Sequence, residues 1–187
     1  MAKLRSYLEV DNVIFTSIGG TRLIGAMAVM NNKGILMSSY SSDEEIEIMR
    51  RSTGLNVERL SSRFTAVGNL VLANDKGALV SPIFNGEVDK QIQDVLGVPV
   101  ISCTVAGYYQ IGSMIVATDT GAAVHPKASE EELAIIRKTL KVETEPVTVN
   151  GGMPFLSSGL LANSKSVIAG SLTSGPELIM ISRVFKV

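Results

Sequence analysis

Cysteine, histidine and tryptophan are nearly absent from this chain of 187 residues: there is one cysteine, one histidine and no tryptophan. A lone Cys103 excludes an intrachain disulfide and any cysteine-based zinc site, and it suits a reducing, cytoplasmic compartment. Aromatic residues make up only 5% of the chain, so a core has to be built from Val, Ile, Leu, Ala and Met. There is little excess charge either. The formal net charge is -1, without the basic surplus by which proteins usually hold nucleic acid through its phosphates. RNA contact is therefore expected to be local, with a protein surface as the main partner. The opening MAKLRSYLEVDN has no apolar run behind its basic residues, so no signal peptide is expected. Val95 to Thr118 is free of charge for 24 residues, but Gly97, Pro99, Gly107, Gln110 and Gly112 interrupt it. A membrane-spanning helix is rejected there.

What the chain does have is repetition. LIGAMAVMNNKGIL, AVGNLVLANDKGAL, QIGSMIVATDTGAA and FLSSGLLANSKSVI align without gaps. Their turn residues Gly34, Gly77, Gly121 and Ser166 are separated by 43, 44 and 45 residues, and so are Gly25, Gly68, Gly112 and Ser157, which open the first strand. Two landmarks moving in step point to a repeated supersecondary unit. The turns Asn31-Asn32-Lys33-Gly34, Asn74-Asp75-Lys76-Gly77, Thr118-Asp119-Thr120-Gly121 and Asn163-Ser164-Lys165-Ser166 carry the residue types that bond their own backbone and tolerate tight hairpins.

After each hairpin the spacing predicts a helix. Ser42/Glu45, Ser129/Glu132 and Ser174/Glu177 are S-x-x-E capping boxes at equivalent places, and Asn85 serves as N-cap in the second unit. Apolar residues follow at helical period: Val88, Ile92, Val95; Leu133, Ile136, Leu140; Leu178, Ile181, Phe185. Strand-like stretches at Val13–Ile18, Val57–Ser61, Val100–Val105 and Val147–Val149 are assigned to the openings of the units. The expected fold is α/β: about four repeats of about 44 residues, each a three-stranded sheet plus a helix, in one repeat-built domain. The repeats run over approximately residues 12–54, 55–97, 98–141 and 142–187, behind an N-terminal stub, 1–11.

AVGNLVLANDKGALVSP, QIGSMIVATDTGAAVHPKASEEEL and the closing SGPELIMISRVFKV resemble archaeal and eukaryotic translation initiation factor six, over roughly residues 12 to 187. The resemblance implies a pentein-type β/α propeller of five units around a pseudo-fivefold axis. It implies a non-enzymatic factor that binds the large ribosomal subunit, through a ribosomal protein and nearby ribosomal RNA. Such a factor keeps the small subunit from joining and has a related role in large-subunit maturation. Neither a cofactor nor a small-molecule substrate is implied. The segment ERLSSRFTAVGN matches a family stretch associated with the ribosome-facing surface, which carries that role onto Arg59, Arg63 and Asn69. Ala26 stands where the family often has Arg. Four units are legible where the family has five; the first is missing and MAKLRSYLE reads as the tail of its helix. Open lateral edges of this kind lead to an expectation of self-association as a homo-oligomer.

Other chemistry has few residues to work with. Cys103 and His125 are the only candidates for a thiol nucleophile and its base, the pair that pentein-fold guanidino-modifying enzymes employ. Cys103 lies within the strand-like PVISCTV, where a buried structural thiol is the usual finding, and His125 occupies the repeat position of Ser38, Ser81 and Gly170. Two alternatives thus stand beside the ribosome factor: an enzyme using Cys103 and His125, and an engineered or degenerate scaffold that no longer binds ribosomes. The acid-rich helix starts Asp43–Glu45 and Glu130–Glu132 are explained by capping and the helix dipole rather than by a metal. Lys33, Lys76 and Lys165 share one repeat position, either as solvated turn residues or as a partial basic ring. No phosphate loop is present, because no Gly-Lys-Ser/Thr follows a strand and opens a helix.

Overall fold

A computed structural model of the chain describes residues 2–187. In chain order the elements are α1 (Ala2–Leu8), α2 (Ile24–Met27), β1 (Ala28–Met30), β2 (Gly34–Met37), α3 (Asp43–Thr53), β3 (Asn56–Arg59), α4 (Val67–Leu70), β4 (Val71–Ala73), β5 (Ala78–Val80), α5 (Gly86–Leu96) and β6 (Val100–Ser102). There follow α6 (Ile111–Met114), β7 (Ile115–Ala117), β8 (Gly121–Val124), α7 (Glu130–Leu140), β9 (Glu143–Pro146), a 3₁₀ turn (Leu156–Ser158), β10 (Leu160–Ala162), β11 (Val167–Ala169) and α8 (Gly175–Phe185). The class is α/β. Three small sheets have three strands each and a fourth has two.

Each hairpin closes as its turn residues dictate. In the second, Asn74 Oδ1 accepts the N–H groups of Lys76 and Gly77, each at 3.0 Å. Asn31 and Asn163 make the same pair of bonds in the first and fourth. The helices begin at the expected caps: Ser42 and Ser129 form complete capping boxes with Glu45 and Glu132, and Asn85 accepts from Val88 N–H. Glu177 reaches back to the Ser174 N–H at 2.7 Å.

Two expectations about the strands are corrected. Gly25, Gly68 and Gly112 do not open strands; they lie in the one-turn helices α2, α4 and α6 that precede them. The strand after each helix does not open a new sheet either. β3 pairs in parallel with β2, β6 with β5 and β9 with β8, so each helix carries the chain back to the edge of its own hairpin. Val13–Ile18 forms no strand, and Val147–Val149 lies beyond β9. A four-residue apolar run shows that a strand exists but says nothing about which edge it joins.

The core is shared between units. One cluster joins Val29 and Leu36 of the first hairpin to Ile92 and Leu96 of α5. The second joins Leu79 of the next hairpin to Ile136 and Leu140 of α7. The third joins Ala123 of β8 to Ile181 and Phe185 of α8. The fourth cluster, around Ile18, Met27, Ile35, Met37, Ile46 and Val57, draws on no hairpin but the first.

Polar clips reinforce the same pairings. Asn31 Nδ2 donates to the Leu96 carbonyl at 2.8 Å and Lys33 Nζ to the Gly97 carbonyl at 2.8 Å. Asn74 Nδ2 reaches Leu140 at 2.9 Å, Lys76 Nζ reaches Lys141 at 3.5 Å, and Thr120 Oγ1 reaches Phe185 at 3.2 Å. Asn163 Nδ2 and Lys165 Nζ bind Leu8 and Glu9 at the end of α1, at 2.6 and 3.1 Å. Helix C-termini leave their last carbonyls without intrahelical partners, and each hairpin turn supplies the donors. The three lysines are therefore inter-unit clips, a role the sequence alone did not disclose.

Candidate functional site

Among the described residues, no group of three or more His, Cys, Asp or Glu is placed to hold a metal, and no helix is long and apolar enough to cross a membrane. Two carboxylates at helix starts, Glu45 and Glu177, are already saturated. Glu45 accepts from the Ser17 hydroxyl at 2.6 Å and from the N–H groups of Gly19, Gly20 and Ser42 at 2.8–3.1 Å. Burial pushes its carboxyl up, but these four donors outweigh burial and hold the pKa at about 2. Glu177 repeats the device with Thr148, Gly151, Gly152 and Ser174. Its pKa is again about 2, burial opposing and the donors prevailing. Both carboxylates fasten a Gly-rich loop to the start of a helix, and their lone pairs are spent on that work.

Cys103 and His125 do not form a nucleophile–base pair. Burial, with the Glu132 charge, pushes the Cys103 thiol up to about 11, so it carries almost no thiolate near neutrality. His125 is buried, at 3% exposure. Its Nδ1 accepts the Lys127 N–H at 3.1 Å, and its ring lies against Tyr108 and Phe155 at 5.7 and 6.3 Å. Burial and Lys127 lower its pKa, Glu132 opposing. Its backbone N–H bonds Met114 O as Ser38 bonds Met27 O and Ser81 bonds Leu70 O, so the position is a strand-end link with a ring attached. No hydrogen bond joins Cys103 to His125 among the described residues.

Arg59, Arg63 and Asn69 lie along one continuous segment: the end of β3, the connection that follows, and α4. Arg59 is partly committed within the chain. Its Nε donates to Ser41 O at 2.7 Å and its Nη2 pairs with Asp43. Gln91 of α5 donates to Arg59 O at 2.9 Å and accepts from Ser61 N at 2.8 Å, which pins this connection to the next unit. Arg63 is exposed and lies 4.9 Å over the Phe64 ring, which meets Phe84 edge-on at 6.1 Å. A shallow hollow of about 410 Å³ opens beside Arg63, Phe64, Phe84 and Asn85. Asn69 is half-buried on α4, and its side chain makes no hydrogen bond among the described residues. No hydrogen bond links the three. Arg63 thus presents an exposed guanidinium, and Asn69 a carboxamide without a hydrogen bond among the described residues.

The model of the eIF-6 family matches residues 1–184. The chain belongs to the eIF-6 family. Translation initiation factor 6 of Cenarchaeum symbiosum is 49% identical over 184 residues, covering 98% of this chain and 83% of that protein. Translation initiation factor 6 of Nitrosopumilus maritimus is 47% identical over 183 residues, covering 98% and 82%. That of Pyrococcus abyssi is 42% identical over 183 residues, covering 95% and 80%. Membership makes this chain one of the translation factors and bears against the enzyme alternative, as do the partners of Cys103 and His125.

Proposed function

We propose that this family member binds the large ribosomal subunit and, by occupying the surface on which the small subunit docks, keeps the two apart. The same binding would accompany large-subunit maturation in the cytoplasm. The match to translation initiation factors over almost the whole chain carries this reading, and the absence of assembled reactive groups at Cys103 and His125 agrees with a steric rather than a chemical mechanism. A net charge of -1 favours contact with a ribosomal protein, with Arg59, Arg63 and Asn69 reaching nearby RNA locally.

The units are taken to wind about a common axis as a pentein-type propeller. Two observations support this. One hollow is lined by residues of all four turns, among them Asn31, Asn74, Asp119 and Asn163. The fourth turn docks on α1, whose chain leads into the first unit. The repeats, expected to divide near 54/55, 97/98 and 141/142, are proposed to divide instead after β3, β6 and β9, which pair with the hairpin before them. Self-association would have to use the open side of this array, and a single-chain mass by light scattering at micromolar concentration removes it.

Co-sedimentation with purified large subunits tests the function. Arg63→Glu with Asn69→Ala is expected to reduce co-sedimentation several-fold at unchanged melting temperature, and to restore subunit joining. Unchanged binding discards these residues as the contact surface. No binding by the parent chain leaves the scaffold reading in place.

A further inference from the structure

Four cations line one hollow where the second, third and fourth units meet. The hollow, about 440 Å³, is bounded by Lys76 of the second turn, Arg137 and Lys141 at the end of α7, and Lys186 at the end of α8. Asp119 and Glu143 also line it, so two carboxylates face four positive groups, although the chain as a whole carries a net charge of -1. Among the described residues none of these six takes part in an ion pair. Asp119 is instead engaged with the second turn, its Oδ1 accepting the Asp75 N–H at 3.0 Å.

Helix-end electrostatics do not account for the cluster. Cations are favoured at helix C-termini by the partial negative charge of the last carbonyls. Here those carbonyls already have donors, since Asn74 Nδ2 bonds Leu140 O and Thr120 Oγ1 bonds Phe185 O. Lys76 Nζ is held by Asp119 O at 3.0 Å. Arg137, Lys141 and Lys186 are exposed, and their side chains make no hydrogen bond among the described residues. Arg50, the counterpart of Arg137 on α3, behaves differently. It donates from Nε and Nη2 to Val57 O at 3.1 and 2.7 Å, within its own unit. On α5 the counterparts of Arg137 and Lys141 are Gln93 and Gly97, so the neighbouring junction lacks both charges. The basic hollow therefore belongs to this junction and not to the repeat.

We propose that this hollow binds a small polyphosphate, a diphosphate group or longer. The Arg137 guanidinium is a planar fork that takes two oxygens of one phosphoryl group, and lysine ammoniums hold phosphates as point charges. Lys141 and Lys186 stand on the ends of two different helices, which spreads charge across the hollow to meet more than one phosphoryl group. No aromatic ring and only one aliphatic side chain, Val142, lines it, so the phosphoryl groups are gripped and an attached base is not. Its volume falls at the small end of ligand sites, which run from about 300 to 1,000 Å³. A single RNA strand is a poorer occupant, because its bases would find no ring to stack on. The hollow also lies at the turn end of β4, whereas Asn69 lies on α4 at the other end, so it is separate from the segment that carries Arg63 and Asn69.

The probe is tripolyphosphate, titrated into the intact chain at constant ionic strength and followed by calorimetry and by backbone amide NMR signals. Saturable one-to-one binding is expected, with the amides of Lys141, Val142 and Lys186 shifting and that of Asn69 staying still. Arg137→Gln with Lys141→Gln should weaken binding about tenfold or more, the scale of lost hydrogen bonds to charged groups. The melting temperature should not change, because both side chains are exposed. Lys138→Gln removes an exposed charge of the same helix outside the hollow and should leave the affinity as it was. Absence of saturable binding, an equal loss in Lys138→Gln, equal affinity for citrate, or tighter binding of an oligouridylate through the same residues would each overturn the proposal.

Discussion

Glycine at one repeat position should respond to alanine with opposite signs in different units. A Cβ at Gly68 collides with the carbonyl oxygens of Gly25 and Ala28, and one at Gly112 collides with those of Gly68 and Val71. These are backbone atoms held in short helices and strands, so neither can swing aside. Forcing a methyl into such a contact costs about 1–3 kcal/mol, partly offset by the better helix propensity of alanine, up to about 1 kcal/mol. A net loss of about 1–2 kcal/mol is expected at each site, or a fall of about 2–8 °C in melting temperature for a chain of this size. At Gly25 the collision is absent, so only the propensity gain and the reduced freedom of the unfolded chain remain. Gly25→Ala should raise stability by about 0.5 kcal/mol. Thermal and urea unfolding followed by far-UV circular dichroism measures all three variants. If Gly25→Ala proves as damaging as Gly68→Ala, the shared-core account of unit packing is wrong.

The remaining expectations concern clips, carboxylates and the thiol. Asn74 is 5% exposed and bonds its own turn twice and the next unit through Nδ2, so Asn74→Ala should cost about 3 kcal/mol in urea unfolding; a loss below about 1 kcal/mol would refute the clip. Glu45 and Glu177 titrate at about 2 when folded against a usual 4.5. Their depressed values contribute stability above pH 4.5 that disappears as pH falls toward 2. Allowing for solvent screening, each supplies about 1–2 kcal/mol. Unfolding at pH 3 and pH 6 should show that difference, and Glu45→Gln with Glu177→Gln should shrink it. The Cys103 thiol, pushed up to about 11, should react with a disulfide reagent at pH 8 far more slowly than the same thiol in urea; equal rates would contradict its burial.

Turns and helix starts are legible in the chain itself. The equal steps of 43, 44 and 45 residues, the Asn-rich turns and the S-x-x-E boxes rest on local physics. Backbone bonding within four residues suffices to make a turn or cap a helix, so sequence alone determined where the hairpin turns and the four eleven-residue helices fall, but not the one-turn helices α2, α4 and α6. The resemblance carried in the same turns and caps led to the eIF-6 family. Tertiary structure decided what depends on distant partners. Lys33 and Asn31 are turn residues by pattern, and become clips only because the end of α5 lies 64 and 65 residues further along the chain. The parallel pairing of β3 with β2 depends on where α3 returns the chain. Arg59 looked like an outward contact, and its guanidinium is half-spent on Ser41 and Asp43. Gly25 and Gly68 read alike in sequence; only the surroundings of each distinguish a close-packed glycine from one whose added Cβ would meet nothing within 4 Å. Local interactions are written into adjacent residues, whereas a contact between units exists only once the array has assembled.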